Sequence, residues 1–248
     1  MNNRRGFLKQ SIGTAALMSI PAMVSAAFVE AKGKAIKLTN NDIILFQGDS
    51  ITDANRDKKR ILPNIAYSLG SGYAVLAASE LLKNYPEKSL QIFNRGVSGD
   101  KVFQLADRWD KDCLEIKPTV LSIMIGVNDY WAAKKSGYAG TIQTYQDDYK
   151  RLIERTKTNL PTVKIIIGEP YAVVGVKEVT PDWYPAFDEY RMTARKIAEQ
   201  YNCGFIPYQS VFDKAQSKAP GAYWTYDGVH PTAAGNQIMA EAWLQAVK

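Results

Sequence analysis

At 248 residues, with 46% hydrophobic and 23% charged residues, the chain can bury one large core and is too apolar to be disordered. Its formal net charge is +6, but Arg4, Arg5 and Lys9 supply half of that excess ahead of the first acid, Glu30, and the later basic residues are scattered, leaving no electrostatic footprint for nucleic acid. Two cysteines and one histidine exclude a zinc site of common spacing.

The first 27 residues read as an export signal of the twin-arginine type, with a single domain expected over 28–248. Arg4-Arg5-Gly6-Phe7-Leu8-Lys9 precedes an apolar run from Ile12 to Val24, and Val24-Ser25-Ala26 has the small residues of a cleavage site. The apolar run is short for a membrane span and Pro21 interrupts it, so no stable membrane insertion is expected after processing. The expected location is the bacterial periplasm or the exterior. There Cys113 and Cys203 could oxidise, although a helix-like setting for the first and a strand-adjacent one for the second disfavour a bridge.

From residue 43 onward, β-rich apolar runs alternate with amphipathic stretches. Strands are predicted at 43–47, 90–95, 119–125, 163–168 and 204–208, and helices at 73–84, 101–116, 141–159, 186–201 and 231–247. The strands are continuously apolar, as in a parallel sheet covered on both faces, so the fold class is a doubly wound α/β sandwich. In the third helix Tyr145, Tyr149, Leu152, Ile153 and Thr156 share one face, which reads as core packing. Ligands of such sheets bind beyond the carboxyl ends of the strands.

Those ends carry the polar signals. The first strand runs into Gly48-Asp49-Ser50, the second into Asn94-Arg95-Gly96-Val97-Ser98-Gly99 and the third into Gly126-Val127-Asn128-Asp129. Asp227-Gly228-Val229-His230-Pro231 precedes the last helix, with Pro231 expected in its first turn. A serine nucleophile needs a base that titrates near neutrality, and His230 is the only histidine. An Asp-x-x-His spacing in a tight turn can bring Asp227 to Nδ1, fixing the tautomer that faces Nε2 toward Ser50. The N–H groups of Ser50 and Gly96 and the Asn128 amide are candidate donors to an oxyanion. Asp49 and Asp129 are expected to hold turns by hydrogen bonds.

The order Gly48-Asp49-Ser50-Ile51, Gly96, Gly126-Val127-Asn128-Asp129, Asp227-Gly228-Val229-His230 resembles the SGNH (GDSL) hydrolase family over about 43–247. The resemblance implies a flavodoxin-like three-layer fold with a five-stranded parallel sheet in order 2-1-3-4-5 and no cofactor. It implies Ser50 as nucleophile, His230 as base and acid, Asp227 as orienting carboxylate, and an oxyanion hole from Ser50, Gly96 and Asn128. The runs at 69–73, 94–109, 117–131 and 226–235 are similar to acetylxylan-esterase-like carbohydrate deacetylases, with Tyr226 where those carry Trp and Ala132 where they often carry Arg. An acetylated poly- or oligosaccharide is the implied substrate, and a homo-oligomer is left open. Asp49, Tyr130, Trp131, Trp183 and Tyr226 are candidate substrate contacts, within a rim that also holds Tyr184 and Trp224 and of which about half should serve packing. Long loops at 53–72 and 171–185 are expected to shape the pocket. A lysophospholipase or thioesterase, a deacetylase of envelope glycans and a non-catalytic glycan-binding protein are the competing readings. A dinucleotide binder is disfavoured, because Gly96-Val97-Ser98-Gly99 lacks the third glycine.

Overall fold

The computed structural model describes residues 35–248. The leader expected over 1–27 and the first residues of the expected domain lie outside the described residues. Five parallel strands are ordered β2-β1-β3-β4-β5: β1 (Ile43–Gly48), β2 (Gln91–Asn94), β3 (Val120–Met124), β4 (Lys164–Gly168) and β5 (Gly204–Ile206). In the central pairing Leu45 faces Leu121 and Gly48 faces Met124, which aligns the ends of β1 and β3. β3 is buried at every position, as its unbroken apolar run requires in a sheet covered on both faces.

The described residues form ten α-helices in chain order. They are α1 (Ser50–Asp53), α2 (Ala66–Leu69), α3 (Tyr73–Asn84), α4 (Val102–Asp107), α5 (Val127–Lys135), α6 (Ile142–Asn159), α7 (Ala186–Gln200), α8 (Tyr208–Ala215), α9 (Gly221–Trp224) and α10 (Ala233–Gln245). On one side of the sheet α3 packs against α10, whose Trp243 meets Phe46 of β1 at 4.8 Å between ring centres and donates to the buried Ser122 hydroxyl at 3.0 Å. On the other side α6 packs against α4 and α7, burying the Tyr145, Tyr149, Leu152, Ile153, Thr156 stripe.

Three expectations need correction. The helix predicted over 101–116 breaks at Arg108 (φ −102°, ψ 8°) and resumes as a π-turn over Asp110–Leu114. The last helix begins at Ala233 behind the cap Thr232, whose hydroxyl accepts from the Gly235 N–H. Pro231 therefore lies outside it, in an antiparallel bridge with Thr225. Short helices α1, α2, α5, α8 and α9 add to the five predicted ones; of these α1 and α5 directly follow β1 and β3. Cys113 is buried, Cys203 is half-buried, and both are free thiols.

Candidate active site

The chain leaves β1 at Gly48 and starts a one-turn helix at Ser50. Asp49 caps it, its Oδ1 accepting from the Ile51 N–H at 3.0 Å. Ser50 is the first residue of α1, so its N–H has no acceptor within the helix. On the opposite wall Tyr226 N–H donates to the His230 carbonyl at 3.1 Å and closes a tight turn. Within that turn Asp227 Oδ1 accepts from the Val229 and His230 N–H groups at 2.9 and 2.7 Å. The other carboxylate oxygen meets His230 Nδ1 at 2.6 Å, and His230 Nε2 lies 2.7 Å from Ser50 Oγ. A carboxylate only accepts, so Nδ1 carries the proton and Nε2 is left to accept from the serine hydroxyl. A hydroxyl held this way can lose its proton as it attacks a carbonyl carbon.

Burial works to lower the His230 pKa, but the Asp227 hydrogen bond and charge, with a contribution from Asp49, raise it above the ordinary imidazole value. Burial pushes Asp227 up, and the hydrogen bonds it accepts from His230 and Val229 reverse this and hold it below the usual carboxylate range.

The two expected oxyanion donors outside Ser50 are placed differently. Asn128 is the second residue of α5, half-buried, with Nδ2 donating to the Asp100 carbonyl at 3.2 Å and one N–H left over. Gly96 does not present its N–H to the site. That group donates to Asn94 Oδ1 at 2.9 Å, and Gly96 is wedged under α1, where an added Cβ would lie 2.4 Å from the Asp53 nitrogen. The other glycine of this loop is Gly99. It sits exposed between Ser98, which lines the same cleft as Ser50, and Asp100, which accepts from Asn128. Its φ of +86° turns the loop there, and its N–H has no acceptor among the described residues. Asn-x-Gly is an Asx-turn pattern, in which the asparagine side chain takes the N–H two residues on. That signal in Asn94-Arg95-Gly96 marks the first glycine as structural and leaves the second.

The cleft beside Ser50 has a volume of about 190 Å³ and is lined mainly by polar groups, among them Asn55, Ser71, Ser98, Tyr226 and Asn236. The 53–72 loop thus shapes it through Asn55 and Ser71. The 171–185 loop does not line it. Val173 and Glu178 donate instead to the Gly228 and Asp227 carbonyls at 2.7 and 3.1 Å, bracing the Asp227–His230 turn from behind. Of the expected substrate contacts, Tyr226 is 53% exposed and stacks on the His230 ring at 5.4 Å, and half-buried Trp131 lies 6.5 Å from that ring. Asp49, Tyr130 and Trp183 are buried and cannot reach a ligand as placed. Asp49 is spent on its cap, and Tyr130 Oη donates to the Trp183 carbonyl at 2.9 Å within an aromatic cluster. Trp224 is also buried, its indole N–H on the Ala219 carbonyl.

Residues 46–238 match the model of the GDSL-like lipase/acylhydrolase family. The chain belongs to that family. It is 33% identical over 217 residues to an acetylxylan esterase of Geobacillus stearothermophilus, covering 86% of this chain and 96% of that one. Among solved structures, a protein of Parabacteroides merdae described as a GDSL-like lipase matches with a TM-score of 0.84 and 46% identity, over 86% of this chain and 98% of its own. The acetylxylan esterase Axe2 from Geobacillus stearothermophilus matches with a TM-score of 0.77 and 31% identity, over 85% and 96%. The SGNH hydrolase fold read from the motifs is thereby established, and as a member of this family the chain is a carboxylic ester hydrolase.

Proposed function

We propose that the chain removes acetyl groups from carbohydrate esters, with Ser50 as nucleophile, His230 as general base and acid, and Asp227 as its orienting carboxylate. The observation that carries the reading is the unbroken relay Asp227–His230–Ser50, with contacts of 2.6 and 2.7 Å, the second between residues 180 positions apart. Ser50 Oγ attacks the ester carbonyl carbon as its proton passes to Nε2. The carbonyl oxygen becomes an oxyanion held by the N–H groups of Ser50 and Gly99 and the Asn128 amide. His230 then gives the proton to the departing sugar oxygen, leaving an acyl-serine, and water attacks that ester by the same route in reverse. Each oxyanion donor is expected to contribute about 3–4 kcal/mol of barrier lowering.

A short acyl group is supported by the cleft, which is small, lacks a long apolar groove and is rimmed by hydroxyls and amides suited to a sugar. Similarity to acetylxylan esterases supports an acetylated plant-type glycan. The test is the rate profile on p-nitrophenyl esters from acetate to octanoate, together with acetylated xylo-oligosaccharides. Acetate is expected to be fastest, acetate to be released from the oligosaccharide, and Ser50→Ala to abolish both. Equal or faster turnover of octanoate would overturn the substrate reading in favour of a lysophospholipase or thioesterase.

A further inference from the structure

Under the site lies a polar knot that the relay itself does not use. Arg108, where the predicted helix breaks, turns its side chain back beneath the loop 95–100. Its Nε donates to Asp100 Oδ2 at 2.7 Å, and Nη1 meets the Arg95 carbonyl at 2.7 Å, Asp112 Oδ2 at 3.0 Å and Gln47 Oε1 at 3.1 Å. Nη2 reaches the Gly48 carbonyl at 3.4 Å, which also accepts from the Val97 N–H at 3.0 Å. One guanidinium thus joins the turn that aims Ser50 to both ends of the loop that carries Gly99. The Asp100 it grips is also the residue whose carbonyl receives the Asn128 amide.

We propose that Arg108 is a positioning residue that locks the oxyanion donors Gly99 and Asn128 in register with Ser50. The inference rests on the acyl-transfer reading above. Backbone bonds from the Arg95 and Val97 N–H groups to the Phe46 and Gly48 carbonyls hold the start of loop 95–100 to β1, and from Ser98 onward no backbone bond ties it to the sheet, so the place of Gly99 and Asp100 depends on side-chain anchors. A planar fork with five donors can satisfy a carboxylate and two carbonyls in one plane, which a lysine ammonium cannot do. Donors that shift by a fraction of an ångström still admit substrate but stabilise the developing charge less.

The test is a double-mutant cycle on p-nitrophenyl acetate with Arg108→Lys and Asn128→Ala. Arg108→Lys is expected to lower kcat by about tenfold or more, with KM within about threefold and the acid limb of the pH profile unmoved, because His230 and Asp227 are untouched. In the Asn128→Ala background the same substitution should cost clearly less, since part of what it positions is already gone. Asp100→Ala removes the acceptor at the other end of the tether while leaving the carbonyl that receives Asn128, carries the same expectation and keeps the test alive if Arg108→Lys does not fold. A kcat within threefold of wild type in the Arg108 and Asp100 variants would overturn the proposal, as would losses that multiply fully with that of Asn128→Ala. Retention of kcat by Asn128→Ala alone would instead sink the oxyanion assignment, so the two failures are told apart.

Discussion

His230 is held between opposed influences, and the outcome fixes how the enzyme should respond to pH. Burial favours the neutral ring, whereas Asp227, at 2.6 Å from Nδ1, and the more distant Asp49 favour the charged one and prevail. A base must be neutral to accept the serine proton, so kcat/KM should rise with pH through a midpoint above the ordinary imidazole value. Asp227→Asn removes the nearer negative charge. It should move that midpoint to lower pH while cutting kcat by at least about 100-fold, because the tautomer is no longer fixed. A midpoint that stays or climbs in the variant would refute this account. The three residues of the relay were legible from scarcity and spacing: one histidine in the sequence, an aspartate three residues before it, and a serine after a Gly-Asp turn at a strand end. Gly96 was misread because a glycine after a strand looks free to donate. Only the Asn94 side chain 2.9 Å away removes it. Asp49, Tyr130 and Trp183 were misread for a related reason, since a polar or amphipathic side chain near a strand end does not declare which way it points.

Among the elements, α1 depends on its surroundings for its place. It has one turn, too little to persist on propensity alone. Its placement comes from Asp49 at one end and from the second strand's exit at the other. Asn94 Nδ2 donates to the Thr52 and Leu69 carbonyls at 2.6 and 2.8 Å, Asp53 Oδ2 accepts from the Ser98 N–H at 2.9 Å, and Arg56 Nε donates to the Gly96 carbonyl at 2.8 Å. Gly96→Ala would push a methyl group into the Thr52–Asp53 backbone. The expected loss is about 1–3 kcal/mol, or several degrees in Tm, accompanied by lower kcat as Ser50 shifts with its helix. A thermal melt and initial rates on p-nitrophenyl acetate check both, and an unchanged Tm would contradict the wedge. The long helices α3, α6 and α7 were legible within a residue or so from their apolar periodicity. One-turn helices carry no period to read, and the break at Arg108 follows from hydrogen bonds to residues as distant in sequence as Gln47.

For the molecule as a whole, two acids are carried in the core beneath the site. Burial pushes Asp49 and Asp129 up to about 7 each, against the hydrogen bonds they accept from the Ile51 and Val102 N–H groups. The folded chain therefore holds protons that the unfolded chain releases from about pH 4 upward, so these groups make stability fall as pH rises from about 4 to about 7. Asp49→Asn keeps an acceptor for the Ile51 N–H and removes the titration. Relative to wild type it should gain stability between pH 4.5 and pH 8, by about 3 kcal/mol. Urea unfolding at both pH values measures the difference, and an offset independent of pH would count against it. The sheet order was implied by the motif resemblance, and the continuous apolar strands alone required only a covered parallel sheet.

The lone imidazole has a practical consequence. Because the sequence contains one histidine, the protein purified without a polyhistidine tag gives a single imidazole signature in its proton spectrum, and that signature belongs to His230. Its ring resonances can be followed across pH with neither isotope labelling nor assignment. The ionisation of the proposed base in the resting protein can then be set directly beside the midpoint of the rate profile.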